Sequence, residues 1–319
     1  MKVLVTGGCG FIGSHVLEEL IKRDDITSIL NIDKLGIGSD LSYVPDDARI
    51  NTATIDLCEK SYVDYKISAY KPDYIIHLAA ESHVDRSISD PSNFINSNIV
   101  GTFNLLEAVR QYAPSAKFVH VSTDEVYGHL NFNDPAFDED HQLSPRSPYS
   151  SSKASSDLLA LSYKSTYGMN VTVTRCCNNY GSRQHDEKLI PTVIRSIING
   201  NNIPVYGDGK NVREWIHATD HARALIEICF SDYPQEVYNL YGTSRTSNLE
   251  IISTIKVIMT QISPEYAKSQ IEFVADRPGH DRCYKMTSLF NDVKSLNSQK
   301  NFAEALKDAC LYYINKYKK

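Results

Sequence analysis

The sequence lacks several features that would assign it to a common class of protein. No stretch approaches the roughly 18 consecutive apolar residues that a membrane-spanning helix needs. No dense run of lysine and arginine is present and the net charge is −6, so a nucleic-acid or anionic membrane surface is not expected. The seven cysteines are odd in number and include no C-x-x-C pair, which argues against a disulfide framework or a zinc site. These absences favour a small molecule as the partner.

The first apolar strand is expected to begin at Lys2 with no secretory leader before it, so we expect a cytoplasmic protein with reduced core cysteines. The 319 residues, 42% of them apolar, are enough for one large α/β domain and a smaller lobe. No internal repeat or low-complexity segment interrupts the chain. We therefore expect it to be folded throughout, apart from its lysine-rich end.

Apolar runs rich in valine and isoleucine alternate with helical patterns in the first half of the chain. The runs lie at residues 3–6, 29–32, 74–78, 118–122 and 171–174. They are apolar at nearly every position, which is typical of parallel strands covered by helices on both faces. Right-handed crossovers then predict an α/β fold with a Rossmann-type doubly wound parallel sheet.

The regular alternation ends near residue 178. Glycine, proline and asparagine interrupt residues 199–211, and short helical or strand-like pieces follow around 218–229 and 236–240. We predict that residues 1–177 form the sheet domain. We also predict that residues 178–319 mainly form a smaller C-terminal substrate-binding lobe, with some segments returning to the sheet.

A glycine-rich loop follows the first predicted strand and opens a helix. Gly7, Gly10 and Gly13 fit G-x-x-G-x-x-G, and Gly8 begins the overlapping pattern G-x-G-x-x-G. Glycines in this position permit a tight turn and a close approach of the backbone to a pyrophosphate, while the helix N-terminus supplies free N–H groups. The loop predicts a dinucleotide site.

Asp33 ends the second predicted strand about 20 residues beyond the glycine loop. A carboxylate there accepts hydrogen bonds from the adenosine ribose hydroxyls and repels a 2′-phosphate, so NAD is favoured over NADP. Asp56 follows the next strand-like segment and is predicted to reach the adenine amino group.

Tyr149 and Lys153 are four residues apart on a predicted helix and therefore share one face. A nearby cation stabilises phenolate, so Lys153 is expected to lower the pKa of Tyr149 and let it take a proton from an alcohol. Ser122 and Thr123 end the fourth strand, where they can meet this pair at the carboxyl edge of the sheet. Together these residues predict oxidation of a substrate hydroxyl by NAD.

At this point the sequence resembles the extended short-chain dehydrogenase/reductase family and, within it, the nucleoside-diphosphate-glucose 4,6-dehydratases. The motifs that carry the resemblance lie at residues 78–87, 122–128, 178–181, 187–191 and 276–281. The resemblance implies that residues 1–177 bind NAD and that residues 178–319 mainly bind a nucleotide sugar, either dTDP-glucose or UDP-glucose. It also implies a homodimer formed by helices at residues 93–111 and 149–167.

The adjacent carboxylates Asp124 and Glu125 distinguish this reaction from simple oxidation. Neighbouring residues of a strand normally point to opposite sides, so both reach one pocket only if the strand ends there. The resemblance implies that Asp124 is the acid for the C6 hydroxyl and Glu125 the base for the C5 proton, with Tyr149, Lys153 and Thr123 acting at C4. The hydride taken from C4 returns to C6, so the reaction, a step toward deoxysugars such as rhamnose, loses water without consuming NAD.

The remaining contacts follow from the same resemblance. The predicted cofactor-binding residues are Gly7, Gly10, Phe11, Ile12, Gly13, Asp33, Lys34, Asp56, Leu57, Leu78, Ala79, Ala80, Tyr149, Lys153 and Asn178. The predicted substrate-binding residues are Ser82, Arg86, Thr123, Asn179, Glu187, Lys188, Leu189, Pro204, Tyr206, Arg213, Asn248, Arg277 and His280. The resemblance implies that Arg213 and Arg277 bind the diphosphate of the substrate. This role suits them because guanidinium groups match the geometry of phosphate oxygens.

The chain departs from the family pattern after Asp281, because Cys283 replaces a second arginine and the usual Gly-Trp-x-Pro turn is missing around residues 295–300. Tyr284 is a further candidate contact there. His217 and His221 are four apart on an expected helix, but no third ligand accompanies them, so no metal site is predicted.

Three alternatives stay open. A nucleotide-sugar 4-epimerase would share the glycine loop, Tyr149 and Lys153 but has no use for the carboxylate pair. A UDP-glucuronate decarboxylase would retain one glutamate and release carbon dioxide. A non-catalytic NAD-binding regulator would keep the fold without turnover, although the intact Thr123, Tyr149 and Lys153 argue against it.

Overall fold

A computed structural model describes residues 1–232, 235–276, 278–290 and 293–318. The strands, in chain order β1 to β12, are Lys2–Thr6, Ser28–Asp33, Ile50–Thr54, Tyr74–His77, Lys117–Thr123, Val171–Cys176, Asn178–Tyr180, Ile203–Tyr206, Val212–His217, Val237–Leu240, Ser244–Ser247 and Ile271–Val274. The helices, α1 to α10, are Phe11–Leu20, Lys60–Tyr70, Val84–Ser89, Ser92–Phe94, Gly101–Tyr112, Pro148–Tyr167, Leu189–Ile198, Ala218–Phe230, Asn248–Ile262 and Phe302–Tyr317.

Seven parallel strands form the main sheet in the order β10-β6-β5-β4-β1-β2-β3. The order reverses between β1 and β4, and in such sheets ligands bind at the carboxyl ends of the strands beside that reversal. The Rossmann-type doubly wound fold predicted from the sequence is therefore confirmed. Its carboxyl edge carries the ends of β1, β2, β4 and β5, where the candidate catalytic and cofactor residues lie.

Apolar side chains of each strand alternate between the two faces of the sheet. Val3 and Val5 pack with α1 and α8 on one face, whereas Leu4 packs with α2, α5 and α6 on the other. Because successive strand residues point in opposite directions, a strand covered on both sides must be apolar at every position. This is the physical origin of the unbroken apolar runs in the sequence.

Two smaller sheets lie in the second half of the chain. One has the order β11-β9-β7, and the other pairs β12 with β8. A separate core of apolar residues joins them to α7, α9 and α10. However, β10 pairs with β6 in the main sheet and α8 packs against α1, so a strand as well as a helix from residues 178–319 joins the main sheet and its covering helices.

One predicted helix has a different form in the structure. The segment expected as a continuous helix over residues 93–111 contains a π-helical turn, Ile95–Val100, between α4 and α5. Within this turn Asn98 donates from Nδ2 to Ser152 Oγ at 2.9 Å and to the Glu81 carbonyl at 3.0 Å. The wider turn thus ties the carboxyl side of β4 to the helix that carries Tyr149.

The helix α6 has unusually complete signals at both ends. Ser147 directly before the helix and Ser150 in its first turn form a capping box, Pro148 is its first residue, and Gly168 ends it with φ +67°. These residues satisfy backbone groups that the helix itself leaves unpaired. The register of Tyr149 and Lys153 on α6 is therefore determined locally.

Candidate active site

The glycine loop between β1 and α1 is packed too closely for side chains. A Cβ atom added at Gly13 would lie 2.1 Å from the Gly7 carbonyl oxygen, and one added at Gly7, where φ is +77°, would lie 2.9 Å from the Ala79 nitrogen. Both distances are far below van der Waals contact, so each position requires glycine. The result is a narrow backbone cradle beside the end of β4.

The N-terminus of α1 opens into this cradle. Its N-cap, Gly10, has no side chain to bond the first N–H groups of the helix. Such N–H groups, with the positive end of the helix dipole, suit the negative charge of a pyrophosphate. The cradle and the helix end together fit the diphosphate of a dinucleotide.

Asp33 lies at the carboxyl end of β2, as predicted, and its side chain is buried. Its carboxylate accepts from the Cys9 amide at 3.0 Å and from the Leu35 amide at 2.8 Å. These two bonds hold it in place and leave lone pairs for ribose hydroxyls, since a carboxylate offers about four acceptor positions. Asp56 follows β3 and lines the same cavity.

The strand β5 ends at Thr123, and a short 3₁₀ helix begins at Asp124. The change of backbone direction brings both Asp124 and Glu125 to one cavity, which confirms that the strand ends where the sequence required. The Thr123 hydroxyl donates to Asp124 Oδ1 at 3.3 Å and accepts from the Glu125 amide at 3.4 Å.

Burial, and next the negative charge of Glu125, raise the pKa of Asp124 well above its usual range. Among the described residues, nothing forms a hydrogen bond with its buried Oδ2 atom. Burial and a neighbouring negative charge both favour the protonated form of a carboxyl group, which can donate its proton to a bound group. Asp124 therefore has the properties of a general acid.

Tyr149 and Lys153 are both buried in α6 and face the same cavity. The sequence predicted that Lys153 lowers the pKa of Tyr149, but burial, and next the charge of Glu125, raise that pKa well above 10. The Lys153 ammonium donates to the Val121 carbonyl at 2.8 Å, and burial lowers its own pKa. The expected effect is absent because the lysine turns to the strand and the tyrosine lies beside carboxylates.

All predicted catalytic residues and all predicted cofactor-binding residues line one cavity at the carboxyl edge of the sheet. Of the predicted substrate-binding residues, those that line it are Ser82, Thr123, Asn179 and Lys188. Those that lie outside its lining are Arg86, Glu187, Leu189, Pro204, Tyr206, Arg213, Asn248 and His280. Arg277 lies outside the described residues.

Several residues outside the cavity are held by one another. Arg86 pairs with Glu187 at 2.5 Å, so these two candidates form one ion pair. Arg213 is buried, donates to the Asp281 carbonyl at 2.8 Å and stacks on the ring of Tyr284 at 4.4 Å.

Two further features that the sequence singled out have structural roles. Cys283, at the position of the missing arginine, is buried and forms isolated β-bridges with Leu130 and Val212. His217 was expected on a helix with His221, but it ends β9 and caps α8 by accepting from the Thr219 amide at 3.2 Å. The described residues contain no group of side chains suited to a metal ion.

The sequence reasoning missed part of the cavity wall. The missed residues are Ile32, Gly36, Ile37, Gly38, Ser39, Ile55, Glu81, Ser97, Val121, Cys176, Cys177, Gln184 and His185. Gly36 and Gly38, three and five residues after Asp33, were an available signal, because a glycine-containing loop at the carboxyl end of β2 lies beside the predicted ribose site. Nothing local marked Gln184 or His185, which come from a distant part of the chain.

The sheet order, the glycine cradle and the Tyr149-Lys153 pair define an NAD-dependent enzyme of the extended short-chain dehydrogenase/reductase class. A family model described as GDP-mannose 4,6 dehydratase matches residues 4–305. The chain belongs to this family of nucleotide-sugar 4,6-dehydratases, which are hydro-lyases, and its cofactor is NAD.

Individual relatives agree with this assignment. A dTDP-glucose 4,6-dehydratase of Neisseria meningitidis is 45% identical over 300 residues, covering 89% of this chain and 84% of the relative. The dTDP-glucose 4,6-dehydratase 1 of Escherichia coli K12 is 40% identical and covers 100% of this chain and 94% of its own. The crystal structure of the dTDP-glucose 4,6-dehydratase DesIV from Streptomyces venezuelae, with NAD and TYD bound, has a TM-score of 0.89 at 36% identity, covering 99% and 97% of the two chains.

No helix in the described part of the chain is both long and apolar enough to cross a membrane.

Proposed function

We propose that this protein converts dTDP-glucose into the 4-keto-6-deoxy sugar nucleotide with loss of water. The observation that carries the proposal is the position of Asp124 and Glu125 beside Tyr149 in one cavity. Epimerisation at C4 needs no such acid–base pair, whereas dehydration across C5 and C6 needs both members. The names of the curated relatives support thymine over uracil as the base.

In the proposed reaction Tyr149 takes the proton of the C4 hydroxyl, and Lys153, whose ammonium is held by the Val121 carbonyl, lines the same cavity. The Thr123 hydroxyl forms a hydrogen bond with the C4 oxygen of the sugar. NAD, when bound, would supply a hydride acceptor for C4 and a hydride donor for C6. The residues that would hold it are the Gly7–Gly13 cradle, Asp33 and the rest of the cofactor set.

The resulting C4 ketone acidifies the C5 proton, which Glu125 removes. Asp124 protonates the C6 oxygen, so the C6–O bond breaks and water departs. The raised pKa of Asp124 supports this division, because two neighbouring carboxyl groups with different protonation states can serve as acid and base. Reprotonation at C5 completes a reaction with no net oxidation.

The test is product analysis with dTDP-glucose and UDP-glucose as substrates. A new C6 methyl signal in proton NMR, without galactose and with kcat/KM higher for dTDP-glucose, is expected. Galactose as product would support the epimerase, and release of carbon dioxide from UDP-glucuronate would support the decarboxylase. No product from either glucose nucleotide, despite bound NAD, would support a non-catalytic regulator.

We also propose a homodimer in the cytoplasm. The outward side chains of the π-turn, α5 and α6 include the exposed Ile95, Val100, Phe103 and Leu158. Apolar residues on two adjacent long helices suit a four-helix contact with a second copy. Light scattering is expected to give twice the chain mass, and the Phe103→Arg variant is expected to be monomeric.

All seven cysteines are free, which fits the reducing environment of the cytoplasm. Cell fractionation tests this location.

A further inference from the structure

Two segments distant in sequence close one side of the NAD cavity. The loop at residues 34–44 contributes Gly38 and its neighbours, and the segment at residues 181–188, here called the cover segment, contributes Gln184 and His185. The two meet directly, because a Cβ atom added at Gly38 would lie 3.4 Å from the ring of His185. Both segments therefore form part of the wall around a bound dinucleotide.

Each segment contains a residue with positive φ, a backbone conformation that residues other than glycine rarely adopt. Leu35 has φ +57° and Arg183 has φ +69°, and the only other described non-glycine residue with positive φ is Lys71, at the end of α2. Residues in this region carry strain and stay there only when their surroundings hold them. Leu35 is held by the nearby Asp33 carboxylate. The cover segment must therefore have its own support.

The last two turns of α10 supply that support. The buried Tyr313 hydroxyl contacts two carbonyls of the cover segment, at 2.9 Å from Gln184 O and 3.2 Å from Gly181 O. Lys316 Nζ donates to Asp186 Oδ1 at 2.8 Å, and the Tyr317 hydroxyl donates to the same oxygen at 2.6 Å. Gly181 precedes Arg183 in the chain, and Gln184 and Asp186 follow it, so the contacts hold the backbone on both sides of Arg183.

The same helix also reaches the loop on the other side of the cavity. Burial, and next the neighbouring Tyr43, raise the pKa of Tyr312, and the Tyr43 ring lies 5.8 Å from the guanidinium of Arg183. Arg183 in turn pairs with Glu18 of α1, the helix that begins at the glycine cradle. The end of α10 thus lies beside both the cover segment and the loop at residues 34–44, and Arg183 joins the cover segment to α1.

We propose that the C-terminal end of α10 positions the cover segment over the cofactor and thereby slows the release of NAD. Tyr313, Lys316 and Tyr317 are positioning residues, since they act through the cover segment and do not line the cavity. The role matters for this reaction because the hydride removed from the sugar must return to the same molecule. If the cofactor left before the hydride returned, the oxidised sugar intermediate could not be reduced to product.

The test compares Tyr313→Phe and Tyr317→Phe with Lys307→Ala, a matched control at an exposed lysine of the same helix. NAD release is followed by exchange of bound NAD for excess fluorescent etheno-NAD. We expect release about fivefold faster for each hydrogen bond lost, and a fall in NAD copurified per chain. With saturating NAD, kcat and the KM for dTDP-glucose are expected to stay within about twofold of the parent.

A second comparison identifies the path of the effect. If the Tyr317 hydroxyl acts through Asp186, the double variant Asp186→Ala/Tyr317→Phe releases NAD no faster than Asp186→Ala alone. Equal release rates in the parent, the Lys307→Ala control and both tyrosine variants would overturn the proposal. So would a loss of kcat that added NAD does not restore. A parent protein that binds NAD but makes no product would refute the proposed function and leave this inference intact.

Discussion

The substitution Gly13→Ala separates two physical effects of opposite sign. Gly13 lies in the first turn of α1, and replacing a helical glycine by alanine ordinarily stabilises a protein by about 1 kcal/mol. In this structure the new methyl group would lie 2.1 Å from the Gly7 carbonyl oxygen and 2.7 Å from its carbon. Both atoms belong to the backbone of the NAD cradle, so no side-chain rotation relieves the contact.

Forcing a methyl group into a packed site costs about 1–3 kcal/mol, and a backbone clash of this depth lies at or above the upper end. We therefore expect a net loss of about 2 kcal/mol, which lowers the unfolding temperature by roughly 4 °C for a chain of this size. The displaced cradle is also expected to lose its copurified NAD. Differential scanning calorimetry and the NAD content per chain measure the two effects.

Gly200→Ala is the control, because Gly200 has φ +67° and an added Cβ would meet nothing within 4 Å. It should lose about 1 kcal/mol from backbone strain and keep its NAD. If Gly13→Ala were as stable as the parent with a full complement of NAD, the assignment of the loop as a cofactor cradle would be wrong.

The remaining predictions concern the reacting groups. Tyr149→Phe should lower kcat by about 10²–10⁴-fold with NAD content unchanged, and activity within tenfold of the parent would argue against its role as the base at C4. Glu125→Gln should abolish exchange of the C5 hydrogen with deuterated water, which NMR detects. Because burial and then Glu125 raise the pKa of Asp124, the stability that this residue contributes is fully present below its unfolded pKa of about 3.9 and is lost as pH rises through its folded pKa. Asp124→Asn should therefore raise the unfolding temperature at pH 8 but not at pH 4, while stopping water loss; an equal shift at both pH values would contradict this.

The sequence by itself determined the features that depend on short spacings. The glycine pattern at Gly7–Gly13, the strand end that orients Asp124 and Glu125, and the four-residue step from Tyr149 to Lys153 all lie within single turns or strands. Backbone geometry at that range depends on neighbouring residues, so their placement could be read without the fold. The resemblance to the dehydratases then supplied the chemistry of each position.

Only the tertiary structure decided what these groups meet. The pKa of Tyr149 depends on carboxylates and on burial, and the Lys153 ammonium turns to Val121, neither of which follows from helical spacing. The cover segment and the end of α10 are about 130 residues apart in the chain yet share the contacts of Asp186. Such contacts arise when separate elements pack, because the electrostatic environment of a side chain depends on distances in space and not on distances along the sequence.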